Sequence, residues 1–296
     1  MLKSLIAVSV ALVALTLPAM AAGPRIAVTI TPLARIAQRI GGPDTQVFVI
    51  LKPGQSPHGY EPTPGDMKKL AEADFVVLIG LGLDNWVLKM ARAAGGEMRG
   101  KIVDLSEALD PKTLIGSQES GHGGHAEEVA NPHYWLDPMM TLLAAKALAA
   151  KMAGQAPAGE KVSIEKRMAE LEQDLTSLDA EIKETLKDAR GGFVAFHGAW
   201  DYFARRYRLN QVGVIEASPG KNPSARHITQ LVERIKKTGG TAVMAEPQFS
   251  PRLAQMLSGE AGVKLGIADP LGGAPGREDY FSLMRYNARA FLEALK

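Results

Sequence analysis

The sequence predicts an α/β fold of two lobes, each built on a four-stranded sheet of parallel type, joined by one long backbone helix. Two observations carry this. Short β-rich runs alternate with helix-like segments early in the chain, and the same rhythm returns after Gly191, which argues βα units. Between them one apolar stripe persists at helical spacing. The expected organisation is a leader over 1–21, an N-terminal lobe over 22–155, a linking helix over 156–191 and a C-terminal lobe over 192–296.

The leader comes first. Lys3 supplies a positive start, Leu5 to Leu17 is apolar apart from Ser9 and Thr16, and Ala19-Met20-Ala21 offers a small-x-small cleavage pattern. The stretch is short for a membrane span, which needs about 20 residues. A cleaved signal and an exported, soluble product are expected, most simply in a bacterial periplasm. The chain has no cysteine, so lipid attachment to Cys, disulfides, thiolate zinc sites and cysteine nucleophiles are excluded.

In the first lobe the β-rich runs are Arg25–Ile30, Gln46–Leu51, Phe75–Ile79 and Lys101–Leu105, separated by helical patterns at Leu33–Ile40, Pro64–Ala73 and Leu83–Ala94. In the second they are Phe193–Phe196, Gln211–Ile215, Thr241–Ala245 and Val263–Ala268, with helices at Ala199–Tyr207, Ser224–Lys237 and Pro251–Ala261. The connecting stripe is Ile164, Met168, Leu171, Leu175, Leu178, Ile182 and Leu186, at spacings of 4, 3, 4, 3, 4 and 4. A helix of roughly 30 residues would be about 45 Å long, enough to cross both lobes. It is expected to end at Gly191-Gly192, to pack on its own protein rather than in a coiled-coil dimer, and to resist wide hinge closure. A monomer follows.

Composition narrows the function. Thirty-four Lys and Arg face 32 Asp and Glu, and loss of Lys3 with the leader brings the formal charge from +2 to +1. That balance gives no reason to expect nucleic acid or an anionic membrane surface as partner. There is no HExxH, no phosphate-binding glycine loop and no G-x-S-x-G elbow.

The histidines are more informative. His58 follows the run Gln46–Leu51, His133 precedes a helix starting near Pro138, and His197 ends the run Phe193–Phe196. Asp269 follows Val263–Ala268. Ligands of open α/β sheets bind beyond the carboxyl ends of strands, so two candidates from each lobe would meet in the cleft between the lobes. Three imidazoles and a carboxylate suit Zn²⁺; Mn²⁺ favours more oxygen, so His197 leans the set toward zinc. Taken singly, each histidine is more often structural than a ligand. Glu61 or Glu246 would offset the ion's charge, and Glu246 is either an acceptor for a ligand histidine or a loop-fixing carboxylate. His227 is expected at the surface. Trp135, Trp200, Tyr202 and Phe203 belong to the cleft wall or to plain core. The polar, glycine-rich segment Gly116 to Asn131, with His122, His125, Glu127 and Glu128, is either a transient metal holder or a solvated loop.

Four stretches, PGQSPHGYEPTPGDMKKLAEADFVVLIGLGLDNW, NPHYWLDP, AFHGAWDYFARRYRL and GIADPLGG, occur in order and over nearly the whole mature chain. In these it resembles the metal-specific solute-binding proteins of ABC importers, the TroA/ZnuA-like family. The resemblance implies lobes tied by one long helix and an ion in the cleft, held by His58, His133, His197 and Asp269. It implies a receptor that captures Zn²⁺ and delivers it to a membrane permease, with no enzyme activity and with a zinc chaperone as a further expected partner. The manganese branch typically has Glu where this chain has His197, so the zinc branch is favoured; a Mn²⁺ or Fe²⁺ receptor is the alternative, and a zinc hydrolase the rival from another class. The chain departs from the family in having Gly198 where Asp is frequent, in its short histidine loop, and in lacking both a C-lobe disulfide and a lipid-bearing Cys.

Overall fold

A computed structural model of the chain describes residues 23–94, 96–116, 130–216 and 220–296. The leader, and His122, His125, Glu127 and Glu128 of the polar loop, lie outside the described residues.

The N-terminal lobe runs β1 (Arg25–Val28), α1 (Thr31–Gly41), β2 (Gln46–Val49), α2 (Pro64–Glu72), β3 (Phe75–Leu78), α3 (Asn85–Ala94), α4 (Gly96–Arg99), β4 (Ile102–Asp104) and α5 (Pro138–Gln155). Its strands lie in the order β2-β1-β3-β4, all parallel, with Ile26 opposite both Val47 and Phe75. The linking helix α6 spans Ala158–Leu186, 29 residues. The C-terminal lobe runs β5 (Gly192–His197), α7 (Asp201–Tyr207), β6 (Asn210–Glu216), α8 (Ala225–Thr238), β7 (Gly240–Ala245), α9 (Arg252–Ala261), β8 (Lys264–Ile267) and α10 (Tyr280–Leu295). Its order, β6-β5-β7-β8, is again all parallel and repeats the first sheet. Strands β3 and β5 are buried at every position, as expected of apolar runs covered on both faces.

Two expectations need correction. Helix α6 ends at Leu186, not at the glycine pair. Gly191 and Gly192 serve strand approach instead: a Cβ on Gly191 would lie 1.8 Å from Thr241 Oγ1, and one on Gly192 2.8 Å from Val212 Cγ1. Helix α10 was not foreseen. It starts on a capping box, with Asp279 accepting from the Phe281 and Ser282 N–H groups, and it buries Tyr280, Leu283, Met284, Asn287, Ala288 and Phe291 at helical spacing.

The stripe of α6 behaves as expected. Ile164, Leu171, Leu175, Leu178, Ile182 and Leu186 are all buried, each contributing roughly 1.5–3 kcal/mol of apolar burial. They share one continuous core with Ile26 and Trp135 of the first lobe and Phe193 and Phe291 of the second. Polar contacts pin the same helix to both sides. Arg39 reaches Asp174 and Arg167 donates to the Ile40 carbonyl in the first lobe. In the second, Arg206 grips Asp179 through two bonds of 2.8 and 2.6 Å, and Arg285 reaches Glu181. The two lobes are therefore bolted to one rod.

Candidate metal centre

Each histidine is placed by local backbone chemistry. Pro57 opens a single 3-10 turn, Pro57–Gly59, and the Ser56 hydroxyl accepts from the His58 N–H at 3.4 Å. The loop beyond is held by Asp66, which accepts from the Tyr60 hydroxyl and the Thr63 N–H, while Tyr60 packs edge-on against Trp86. His133 sits before the turn Tyr134–Leu136, which leads into α5 through the helix cap Asp137-Pro138. The Tyr134 hydroxyl donates to the Ile79 carbonyl at the end of β3, and Trp135 Nε1 donates across the cleft to the Pro270 carbonyl. His197 is the last residue of β5, and Glu246 follows β7 directly beside it.

Among the described residues one group could hold a metal ion: His58, His133 and His197, one nitrogen from each lying within 4.8 Å of the others. His133 Nε2 stands 3.1 Å from His58 Nε2 and 3.3 Å from His197 Nε2. The gap between them, bordered by Trp135, Gln248, Phe249 and Leu271, admits a particle of about water size. An organic substrate needs a few hundred Å³. The cleft is ion-sized.

The second ring nitrogens settle which way two of the rings face. Asn131 Oδ1 accepts from the His133 N–H at 3.0 Å and faces His133 Nδ1 at 2.8 Å, while Asn131 Nδ2 donates to the Gly198 carbonyl and Asp201 Oδ2. Those partners fix the amide orientation, so His133 carries its proton on Nδ1. His197 Nδ1 lies 2.9 and 2.8 Å from the two oxygens of buried Glu246, with its hydrogen bond aimed at Oε1, which also accepts from Trp200 Nε1. With their Nδ1 atoms on these partners, His133 and His197 turn their Nε2 atoms toward each other across the gap, 3.3 Å apart. Burial, and then the charge that His197 would carry, pushes His58 down to about 3 and His133 well below its ordinary value. At neutral pH protons do not compete for the nitrogens of His58 and His133.

Asp269 is not part of the three-histidine group. Its Oδ1 accepts from Gln248 Nε2 at 2.8 Å and from the Leu271 and Gly272 N–H groups at 3.0 Å, and its Oδ2 pairs with Arg277 Nε at 2.9 Å. The Asp269 backbone is clamped by Asn287, whose amide bonds both its N–H and its carbonyl. The carboxylate thus borders the gap through Gln248 and its chain neighbours, but faces an arginine.

The remaining candidates sort cleanly. Glu246 takes the acceptor role. Glu61 is exposed. His227 is not a plain surface residue: it is half-buried on α8 and its Nε2 donates to the Val214 carbonyl at 2.9 Å. Trp200, Tyr202 and Phe203 are core, whereas Trp135 lines the gap. Asn131, Gln248 and Arg277 escaped the sequence reading. Only Asn131 left a signal there, as an Asx residue two positions before a histidine.

The model of a family described as zinc-uptake complex component A, periplasmic (ZnuA), matches residues 26–294. The high-affinity zinc uptake system protein ZnuA of Haemophilus ducreyi is 30% identical over 263 residues, covering 82% of this chain and 84% of its own length. Zinc-binding protein AdcA of Streptococcus pyogenes serotype M1 is 28% identical over 285 residues, covering 89% of this chain and 54% of its own, so the chain spans about half the length of such relatives. A crystal structure of ZnuA superposes with a TM-score of 0.81 at 30% identity, covering 93% of this chain and 100% of that one.

Proposed function

Because the chain belongs to the periplasmic zinc-uptake component A family, we propose that it is the receptor of an ABC-type importer, capturing Zn²⁺ between its lobes and handing it to a membrane permease. The observation that carries this is the convergence of three imidazole nitrogens, two of them on rings held through Nδ1, on an ion-sized gap between elements of both lobes. An all-nitrogen triad suits zinc better than manganese or iron(II), which take more oxygen. His58, His133 and His197 are the proposed ligands, and Asp269 is the reserve fourth donor, reached only when its carboxylate turns from Arg277.

Capture and release need no chemical conversion, and the gap leaves no space for an organic substrate. The function is therefore binding and delivery rather than catalysis. Release falls to local movement of the His133 loop or the turn at Asp269, because the lobes share one rod. The protein works as a monomer in the periplasm, without a lipid anchor, and a zinc chaperone is its donor. No helix among the described residues is long and apolar enough to cross a membrane.

The test is calorimetric titration of the metal-free mature protein with Zn²⁺ and Mn²⁺, beside the His197→Ala variant. One tight zinc event per chain, weaker manganese binding and loss in the variant are expected. Tight manganese binding that the variant leaves unchanged would overturn both the metal and the third ligand.

A further inference from the structure

We propose that Arg277 is a selectivity element: by holding the Asp269 carboxylate it keeps the donor set at three nitrogens and refuses ions that need an oxygen ligand. The inference rests on the receptor reading above and deepens it. Oδ1 of Asp269 already receives three donors, from Gln248 and from the Leu271 and Gly272 N–H groups. That exhausts its lone pairs, so only Oδ2 has capacity for a metal ion, and Oδ2 is where Arg277 stands, 2.9 Å away. The guanidinium and a dication would compete for one oxygen.

The arginine is built into this position. Its guanidinium lies over the Tyr286 ring at 4.6 Å, and its backbone closes a tight loop, with the Gly273 N–H donating to its carbonyl and its own N–H to the Ala274 carbonyl. Gly272, Gly273 and Gly276 supply the positive φ angles this loop requires. Both charged groups are largely buried, the Asp269 side chain 2% exposed and that of Arg277 17%. Yet the Arg277 Nε–H is not aligned on the carboxylate and makes no hydrogen bond. The contact is a charge pairing at 2.9 Å between two largely buried groups rather than a directional hydrogen bond.

Removing Arg277 also removes a positive charge near the ion, so every divalent cation should bind more tightly. The discriminating readouts are the Mn²⁺/Zn²⁺ affinity ratio and the visible absorption of bound Co²⁺, which reports coordination number. In Arg277→Gln, manganese affinity should rise about tenfold more than zinc affinity, and the Co²⁺ bands should change in position and intensity as a carboxylate oxygen enters the ligand set. Asp269→Asn alone should leave the Co²⁺ spectrum unchanged, and in the Arg277→Gln background it should reverse both effects. Arg277→Lys, which keeps the charge, should stay near the parent. An unchanged ratio and spectrum in Arg277→Gln would overturn the proposal. So would a spectral change in Asp269→Asn alone, which would place the carboxylate on the metal with Arg277 present. Thermal melts establish that each variant is folded, and Arg277→Lys and Asp269→Asn keep the test decisive if Arg277→Gln is not. A parent protein that binds neither Zn²⁺ nor Co²⁺ would overturn the receptor reading itself, and this inference with it.

Discussion

Asn131 Oδ1 accepts the backbone N–H of His133 and, at 2.8 Å, the proton on its Nδ1. One amide thereby sets the position, ring orientation and tautomer of the most buried member of the triad, while its other end ties that loop to Gly198 and Asp201 of the second lobe. Asn131→Ala should lower zinc affinity about 10- to 100-fold, the usual cost of losing such a support. Competition against a chromophoric chelator measures it, and parent-like affinity would mean His133 is held by packing alone.

Glu246 does the same for His197, with a charge added. Glu246→Gln keeps an acceptor for Nδ1 but removes the negative charge that raises imidazole basicity, and should weaken zinc about tenfold. Glu246→Ala should weaken it further. It should also cost about 1–3 kcal/mol of stability, since the buried N–H groups of His197 and Trp200 lose their acceptor. Chemical denaturation separates the two effects; parent-like zinc affinity in Glu246→Gln would speak against a role for the charge.

Zinc should stabilise the fold strongly, because the triad joins segments that the unfolded chain does not bring together. At free zinc about 1,000 times the dissociation constant the gain is about 4 kcal/mol, or roughly 10 °C in melting temperature for a chain of this size. Scanning calorimetry with and without zinc checks this. His133→Ala should abolish the shift.

Asp84 makes a prediction away from the metal. Its carboxylate accepts from Thr29 Oγ1 and the Ile79 and Gly80 N–H groups, joining the ends of β1 and β3, yet burial raises it to about 6. Between 3.8, its unfolded value, and about 6 the folded protein keeps a proton that the unfolded chain has lost. Stability due to this group therefore falls as pH rises through that window, by about 3 kcal/mol, and is level above it. The stability difference between the parent and Asp84→Asn, measured in urea at pH 4 to 7, should trace that slope. A pH-independent difference would refute it.

The strands were legible because parallel strands covered on both faces must be apolar throughout, as in Phe75–Leu78. The rod was legible from the repeat Ile164 to Leu186. The three histidines could be found because each lies at the end of an element, where open α/β sheets gather chemistry. What escaped was decided by tertiary approach. Gly191 reads as a helix stop, but Thr241 is what demands it. Asp269 reads as a ligand from its place after β8, but nothing in the sequence shows that the loop carries Arg277, eight residues on, back onto its carboxylate. His227 reads as surface until β6 presents the Val214 carbonyl.

The rod with both lobes bolted to it has a consequence for traffic at the membrane. A receptor whose lobes share one rod resists folding shut, on the proposed reading, and offers nearly one silhouette, loaded or empty. On the proposed reading, a permease cannot sort copies by outline and must sense the ion through the few loops at the cleft mouth. Empty copies then occupy the same berth as full ones, so import would slow when receptor greatly outnumbers zinc.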